Sequence, residues 1–149
     1  MNSFRKLAAI AVLGLGLLNV LSAVAVGKNK MIMPSDVQSI TASSQDYGNN
    51  AEFALDGNSG TRWESVHGTD PSWIQVVLKE KKEISSLKII WETASAAKYK
   101  IRVSENGTKW DEVAAVEDGK QGEEKIITFK PLKIKYLRIA CEERTTAWG

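Results

Sequence analysis

Three charged side chains, Arg62, Glu64 and Glu92, have the types best suited to recognising a polar ligand. The guanidinium of Arg62 offers a planar fork of donors, and the two carboxylates accept hydrogen bonds from hydroxyl or ammonium groups. A hydroxyl-rich ligand needs such donors and acceptors to converge on a rigid scaffold. The alternative is that the three residues are ordinary surface charges, or that Arg62 simply pairs with a carboxylate.

Catalytic chemistry is not indicated by these residues. A glycosidase pair needs one carboxyl group whose pKa is raised by its surroundings, and nothing in the sequence marks Glu64 or Glu92 as desolvated. His67, the only histidine, has no nucleophile motif near it and is interpreted as a plain loop histidine. With one histidine and one cysteine, zinc catalysis lacks ligands. The sequence therefore predicts that the chain is not an enzyme.

The segment from Asp56 to Thr61 has the composition of a possible cation site. Calcium takes about six to eight oxygen ligands, and a turn of Asp, Gly, Asn and Thr can supply carboxylate, hydroxyl and carbonyl oxygens together. A plain turn at Asp56-Gly57 is equally consistent with the spacing.

Bulk composition limits the classes of partner. The 149 residues include 20 basic and 18 acidic side chains; without Arg5 and Lys6, which lie in a segment interpreted below as a leader, the two balance at 18 each. This balance argues against nucleic acid, which selects a basic face, and against an anionic membrane. The single cysteine, Cys141, excludes an intramolecular disulfide and is predicted to be a buried thiol.

Residues 1–25 have the pattern of a secretory signal peptide. A short basic segment precedes an apolar stretch at 7–21, and Ala23-Val24-Ala25 supplies the small residues that signal peptidase needs. Cleavage after Ala25 predicts a secreted, extracellular protein with no membrane attachment; the alternative is an uncleaved anchor. Residues 26–36 are interpreted as a linker, and residues 37–149 as a single domain.

The domain has a hydrophobic period close to two, which is typical of strands. Asn106-Gly107 indicates a hairpin, and short strands separated by turns predict an all-β sandwich or barrel. The polar segment 47–70 is expected to be a long loop, anchored to the core by a helical turn at 52–55. The predicted strands are 37–42, 73–78, 84–91, 98–104, 110–116, 125–129 and 134–140.

Several segments occur in an order that carries a family resemblance. They are Ala54-Leu55-Asp56-Gly57-Asn58-Ser59-Gly60-Thr61-Arg62-Trp63, Asp70-Pro71-Ser72-Trp73-Ile74-Gln75-Val76, Trp91-Glu92, Tyr99-Lys100-Ile101-Arg102-Val103-Ser104, Asn106-Gly107-Thr108-Lys109-Trp110 and Tyr136-Leu137-Arg138-Ile139. This succession, over about residues 37–149, resembles the discoidin domain (coagulation factor 5/8 type C) and, within it, the family 32 carbohydrate-binding modules of bacterial secreted proteins.

The resemblance implies an antiparallel jelly-roll β-sandwich of the galactose-binding-domain-like type, with a ligand site in loops at one end. It also implies a structural calcium ion, with Asp56 and Thr61 among its ligands. The family pattern continues past Gly149 into a last strand that carries a further calcium ligand. We therefore expect the sequence to be a fragment that lacks this last strand.

The same resemblance gives roles to individual side chains. Arg62, Glu64 and Glu92, together with Asp46 on the first loop, are similar to the acidic pocket of discoidin modules attached to chitosanases, which favours amino sugars. Trp148 lies in the loop that carries an aromatic platform, where the C–H face of a sugar can stack on the ring. The matching positions place Trp63, Trp73 and Trp110 in the core.

The expected function is that of a secreted, non-catalytic carbohydrate-binding module that targets an attached enzyme or a cell to polysaccharide. One alternative is the N-terminal fragment of a larger glycoside hydrolase, with a fused catalytic domain. A second is a lipid-binding or protein-binding adhesion domain of the discoidin type.

Overall fold

The computed structural model describes residues 22–24 and 31–149, and antiparallel strands dominate it. The predicted all-β antiparallel class is thereby confirmed. A 3-10 helix at Pro34–Asp36 precedes the second strand, and another at Ala51–Leu55 lies in the long loop that follows it. The strands are β1 (Ser22–Val24), β2 (Val37–Ala42), β3 (Ser72–Ile90), β4 (Ala96–Ser104), β5 (Asp111–Val116) and β6 (Glu124–Arg144).

Two long strands organise the sheet. β3 and β6 pair along most of their length, and each spans two of the strands predicted from the sequence. Register shifts between Val77 and Lys82 and between Ile84 and Ser86 bend the pair without ending it, as bulges do. The strand order is β1-β3-β6-β4-β5, with β2 also paired to β3.

The core lies on one face of this bent sheet. On β4, Tyr99, Ile101 and Val103 are buried, whereas the intervening Lys100 and Arg102 are partly exposed, as the alternation predicts. Burial of each large apolar side chain stabilises the fold by about 1.5–3 kcal/mol. The largest fully buried side chains are those of Tyr99, Leu78, Ile84, Leu87, Ile101, Ile134 and Val103.

Trp73 and Trp110 are not core residues, so the prediction for these two was wrong. Ile74 points into the core, and the alternation along β3 therefore places its neighbour Trp73 on the opposite face. There the guanidinium carbon of Arg138 lies 4.8 Å from the centre of the Trp73 ring and 4.4 Å from that of Trp110. Trp63 packs against the core as predicted.

The long loop between β2 and β3 is held to the core by its 3-10 helix. Ala51 and Leu55 are buried and belong to the core cluster, which confirms the predicted anchor. The loop ends where β3 begins, and there Ser72 pairs with Cys141. Because Ala96 of β4 pairs with Arg144, the segments before β4 and after β6 emerge at this same end of the sandwich, which is called the loop end below.

The single cysteine, Cys141, is buried in the core, as predicted. Burial raises the pKa of Cys141 to about 12, against the opposing effect of a hydrogen bond with Ser72. Because the thiolate is the reactive form, this thiol is unreactive at neutral pH.

Three residues of the predicted leader are described. Ser22–Val24 forms β1 and pairs antiparallel with the second half of β3. The rest of the predicted leader, and residues 26–30 of the predicted linker, lie outside the described residues, so the leader and its cleavage after Ala25 stay predictions. Among the described residues, no helix is long and apolar enough to cross a membrane.

Candidate functional site

A buried carboxylate is the centre of a polar cluster at the loop end. Glu64 is 7% exposed. Its Oε2 accepts hydrogen bonds from Asn49 Nδ2 at 2.7 Å and from Arg62 Nη2 at 3.0 Å, and its Oε1 lies 2.6 Å from His67 Nε2. Since an ionised carboxylate only accepts, His67 Nε2 is the donor in this pair. Both oxygens of Glu64 are therefore engaged by three side chains of the same loop.

These donors decide the charge of Glu64. Burial alone would raise the pKa of this carboxyl, but hydrogen bonds from His67, Arg62 and Asn49, with the charge of Arg62, hold its pKa below the ordinary value of 4.5. Glu64 is thus negatively charged at neutral pH. A carboxyl group acting as general acid needs the opposite shift.

Arg62 connects two of the predicted carboxylates. Besides its hydrogen bond to Glu64, its Nε lies 3.8 Å from Glu92 Oε2. Glu92 follows β3, and its carbonyl accepts a hydrogen bond from the main chain of Gly122 at 2.8 Å. The side chains of Arg62 and Glu92 are 38% and 22% exposed, so both can still reach a ligand from solvent.

Asp46 joins the cluster through its main chain. Its N–H donates to the carbonyl of Glu64 at 3.0 Å, and its carbonyl accepts from the N–H of Asn49 at 2.8 Å. The carboxylate accepts from the N–H of Tyr47 at 2.9 Å. The structure therefore brings all four predicted polar residues, Asp46, Arg62, Glu64 and Glu92, into one connected group.

Three members of the cluster were not singled out as site residues by the sequence analysis. Asn49 and His67 hold Glu64, so His67 is more than the plain loop residue that was predicted. The ring of Tyr47 lies 5.0 Å from that of His67, centroid to centroid, and Tyr47 is 75% exposed. The only sequence signal for Tyr47 and Asn49 is their nearness to Asp46.

Trp148 lies in a different part of the loop end. It is 54% exposed and lines an open cleft. Among the described residues, the lining of this cleft does not include Asp46, Arg62, Glu64 or Glu92. It includes Ser65, the residue after Glu64, so this strip of loop runs from the polar cluster to the cleft.

Aromatic and aliphatic side chains form most of the cleft wall. Trp63 and Trp91 lie at the loop end, and Ile74, Ile89 and Ile139 contribute apolar surface from β3 and β6. One ion pair also lines the cleft, with Arg144 Nε 3.0 Å from Asp70 Oδ2. Trp148 thus lines a mostly apolar cleft that also contains this ion pair.

The predicted calcium ligands are brought together in a turn. Thr61 Oγ1 donates to Asp56 Oδ2 at 2.7 Å, and the N–H of Asn58 donates to Asp56 Oδ1 at 2.8 Å. These oxygens are of the type that calcium prefers, but the turn has a single carboxylate. Among the described residues, no group of three or more His, Cys, Asp or Glu side chains could hold a metal ion. Calcium at Asp56 and Thr61 stays a prediction.

Comparisons with known proteins point to one family. The F5/8 type C domain model matches residues 39–149. No curated protein matches the chain. Among solved structures, the chain is similar to chitosan-binding module 1 of a chitosanase/glucanase from Paenibacillus sp. IK-5, with 37% identity, a TM-score of 0.73, and coverage of 79% of this chain and 92% of that one.

Two further structures extend this comparison. Module 2 of the same enzyme, in complex with chitotriose, is 34% identical with a TM-score of 0.72, over 76% of this chain and 89% of that one. A CBM32 module from Clostridium perfringens, in complex with GalNAc-β-1,3-galactose, is 23% identical with a TM-score of 0.68, over 78% and 91%. The first structure confirms the jelly-roll prediction, and the last shares the fold.

Proposed function

Because the chain belongs to the F5/8 type C (discoidin) domain family, we propose that it is a non-catalytic carbohydrate-binding module with its ligand site at the loop end. The observation that carries this proposal is the connected group around Glu64, in which a buried, charged carboxylate fixes the half-exposed Arg62 beside Glu92. Polar groups held in this way are already oriented, so a ligand does not have to order them on binding.

Each residue of the group has a distinct role in this proposal. Arg62 donates hydrogen bonds to sugar hydroxyls, and Glu92 and Asp46 accept them. Glu64 keeps Arg62 in place, since both of its oxygens are already engaged. Trp148 supplies an exposed ring on which the C–H face of a sugar stacks at the mouth of the cleft.

Amino sugars are the ligand class that we favour. The group contains three carboxylates, of Asp46, Glu64 and Glu92, against a single arginine and one histidine, and an ammonium group on a sugar would be attracted to this excess of negative charge. The similar modules of the Paenibacillus enzyme are named as chitosan-binding, and one of them holds chitotriose. These names support chitosan fragments as the first ligands to test.

The sharpest test is calorimetric titration of the full chain with chitotriose, and with GalNAc-β-1,3-galactose as a neutral comparison. We expect saturable binding of chitotriose that Arg62→Ala weakens. Arg102→Ala is a matched control, because its side chain is 38% exposed, like that of Arg62, but lies on the sheet away from the loop end. If no glycan binds, or if both variants weaken binding equally, this proposal is wrong.

A calcium ion at the Asp56–Thr61 turn is part of the same proposal. The carboxylate of Asp56 and the hydroxyl of Thr61 would hold it, and the ion would brace the long loop that carries Arg62 and Glu64. Since a ligand that binds only the folded state raises its stability, calcium should raise the melting temperature and a chelator should reverse the rise. Asp56→Asn should remove this calcium dependence; a melt that calcium does not change would contradict the proposal.

The biological role that we propose is targeting: a secreted module that holds an attached enzyme, or a cell, near polysaccharide. Carbohydrate-binding modules similar to this chain come from a chitosanase/glucanase, which supports attachment to an enzyme. Secretion is tested by mass spectrometry of protein recovered from the culture medium, where we expect a chain that begins at Val26. Recovery of the uncut chain with the membrane fraction would favour the anchor instead.

A further inference from the structure

Tyr47 has an unusual combination of backbone conformation and exposure. It is the one residue other than glycine, within residues 22–24 and 31–149, with a positive φ, at 49°. A side chain with a Cβ is disfavoured in this region, which glycine and asparagine tolerate better. Even so, a large aromatic ring occupies the position and is 75% exposed. Strained positions of this kind cluster at functional sites, which makes Tyr47 a candidate for one.

Local contacts hold Tyr47 in this conformation. Its N–H donates to Asp46 Oδ1 at 2.9 Å. The main chain then turns back at Gly48, whose φ is 74°, and Asn49 donates to the carbonyl of Asp46 at 2.8 Å. This turn is also attached to the buried carboxylate of Glu64, because Asn49 Nδ2 donates a hydrogen bond to it. The position of the ring is therefore tied to that of the Glu64 carboxylate.

His67, which is hydrogen-bonded to the Glu64 carboxylate, contacts the Tyr47 ring. The imidazole of His67 lies 5.0 Å from the ring, with the two planes at 50°, and His67 is itself fixed by its 2.6 Å hydrogen bond to Glu64. Contacts of this kind between rings are favourable. A continuous series of contacts runs from Tyr47 through His67 and Glu64 to Arg62, so the exposed ring adjoins the fixed donors and acceptors of the site.

This arrangement is suited to a pyranose ring. The C–H face of a sugar packs on an aromatic surface while its hydroxyl or amino groups reach polar side chains at the edge. Tyrosine is an efficient contact residue because few rotatable bonds must be ordered on binding. We propose that Tyr47 is a sugar-stacking residue of this site and that His67 positions it. The inference rests on the proposed carbohydrate-binding function and adds to it an aromatic contact on the first loop, outside the cleft lined by Trp148.

The backbone conformation makes a clean test possible. Tyr47→Gly removes the ring and suits the positive φ, so we expect the melting temperature to stay unchanged or to rise. The same variant should bind chitotriose about tenfold more weakly, equivalent to about 1.4 kcal/mol. Tyr47→Phe keeps the stacking surface and should bind within about threefold of the unaltered chain, about 0.7 kcal/mol. The matched control is Ile126→Ala, which removes a side chain of similar exposure, 64%, on β6.

His67 is tested by loss and rescue. His67→Ala removes the support under Tyr47 and should weaken chitotriose binding, whereas His67→Phe keeps a ring there and should recover part of the loss. Unchanged binding by Tyr47→Gly overturns the assignment of Tyr47, and unchanged binding by His67→Ala overturns the positioning role. If the unaltered chain binds neither chitotriose nor GalNAc-β-1,3-galactose, the proposed function fails and the inference fails with it.

Discussion

The molecule has two arginine sites, at Arg62 and Arg138, that use the same side chain for opposite purposes. The Arg138 guanidinium lies over two tryptophan rings, those of Trp73 and Trp110, and Gln75 Oε1 accepts from its Nε at 3.1 Å and from its Nη2 at 2.6 Å. The guanidinium of Arg62 instead lies beside the carboxylates of Glu64 and Glu92. Among the contacts of the described residues, none stacks a tryptophan ring on it.

The two guanidinium groups differ in how far each is available to bind a ligand. Burial lowers the pKa of Arg138, with a further contribution from the charge of Arg102, although the group stays charged. Arg138 links β3, β6 and the segment before β5 through contacts within the fold. Arg62 is held by one short hydrogen bond and is still 38% exposed. We infer that fixed strands and covering rings make an arginine structural, whereas a loop and a single anchor leave it available to a ligand.

The largest effect that follows from this comparison is on stability. Arg138→Ala removes two cation–π contacts and leaves Gln75 without its donor, so we expect a loss of about 3 kcal/mol in the free energy of unfolding. Chitotriose affinity should not change. The measurement is urea denaturation followed by titration at a temperature where the variant is folded. An unfolding free energy equal to that of the unaltered chain would show that the stack contributes little.

Arg62→Ala should give the reverse pattern. Loss of a charged hydrogen-bond donor to ligand corresponds to about 1.5–3 kcal/mol, so we expect chitotriose affinity to fall by about tenfold or more. Stability should fall by about 1 kcal/mol, because Glu64 retains Asn49 and His67 as donors. A variant that loses more stability than affinity would place Arg62 with Arg138 as a structural residue.

The pH dependence of stability sharpens the comparison, since the Arg62 site depends on the titratable carboxyl group of Glu64, whereas the Gln75–Arg138 contact does not titrate in the acid range. The pKa of Glu64 is lowered in the folded chain, so its contribution is fully present above the ordinary value of 4.5 and is lost as the pH falls through the lower, folded value. Glu64→Gln should reduce the slope of unfolding free energy against pH below about 4.5. A slope equal to that of the unaltered chain would contradict this assignment.

The smallest effect is expected at Trp148. Its ring is 54% exposed and lines the cleft rather than the charged group. Trp148→Ala should weaken chitotriose binding by about threefold to tenfold, as expected for one stacking contact, with no change in the melting temperature. If binding is unaffected, the ligand contacts the charged group and Tyr47 but does not extend to the cleft.

Much of the fold could be predicted because strands carry a local pattern. The alternation along β4 identified its buried side, and β2 was predicted with its observed bounds. The same alternation could have placed Trp73 beside Gln75, on the face opposite Ile74. It was misassigned because tryptophan was treated as a core residue from its type and its family position. The joining of four predicted strands into β3 and β6 depends on pairing across the sheet, which period alone does not reveal.

The polar site was predictable in part for a different reason. Arg62, Glu64 and Glu92 were selected by their chemistry and Asp46 by family resemblance, and all four lie in one group. The contact between Tyr47 and His67 joins residues at opposite ends of a long loop. No periodicity specifies how such a loop folds, so neither their contact nor the burial of Glu64 could be derived from the sequence.

The separation of the tryptophans gives this protein an internal optical reporter. Trp63, Trp91 and Trp148 line the cleft, whereas Trp73 and Trp110 lie against Arg138 on the sheet. A sugar bound in the cleft would change the emission of the first three and leave the other two as a constant background. Phenylalanine at positions 73 and 110 would remove that background, so that the intrinsic fluorescence of the remaining rings follows occupancy of the cleft without any attached dye.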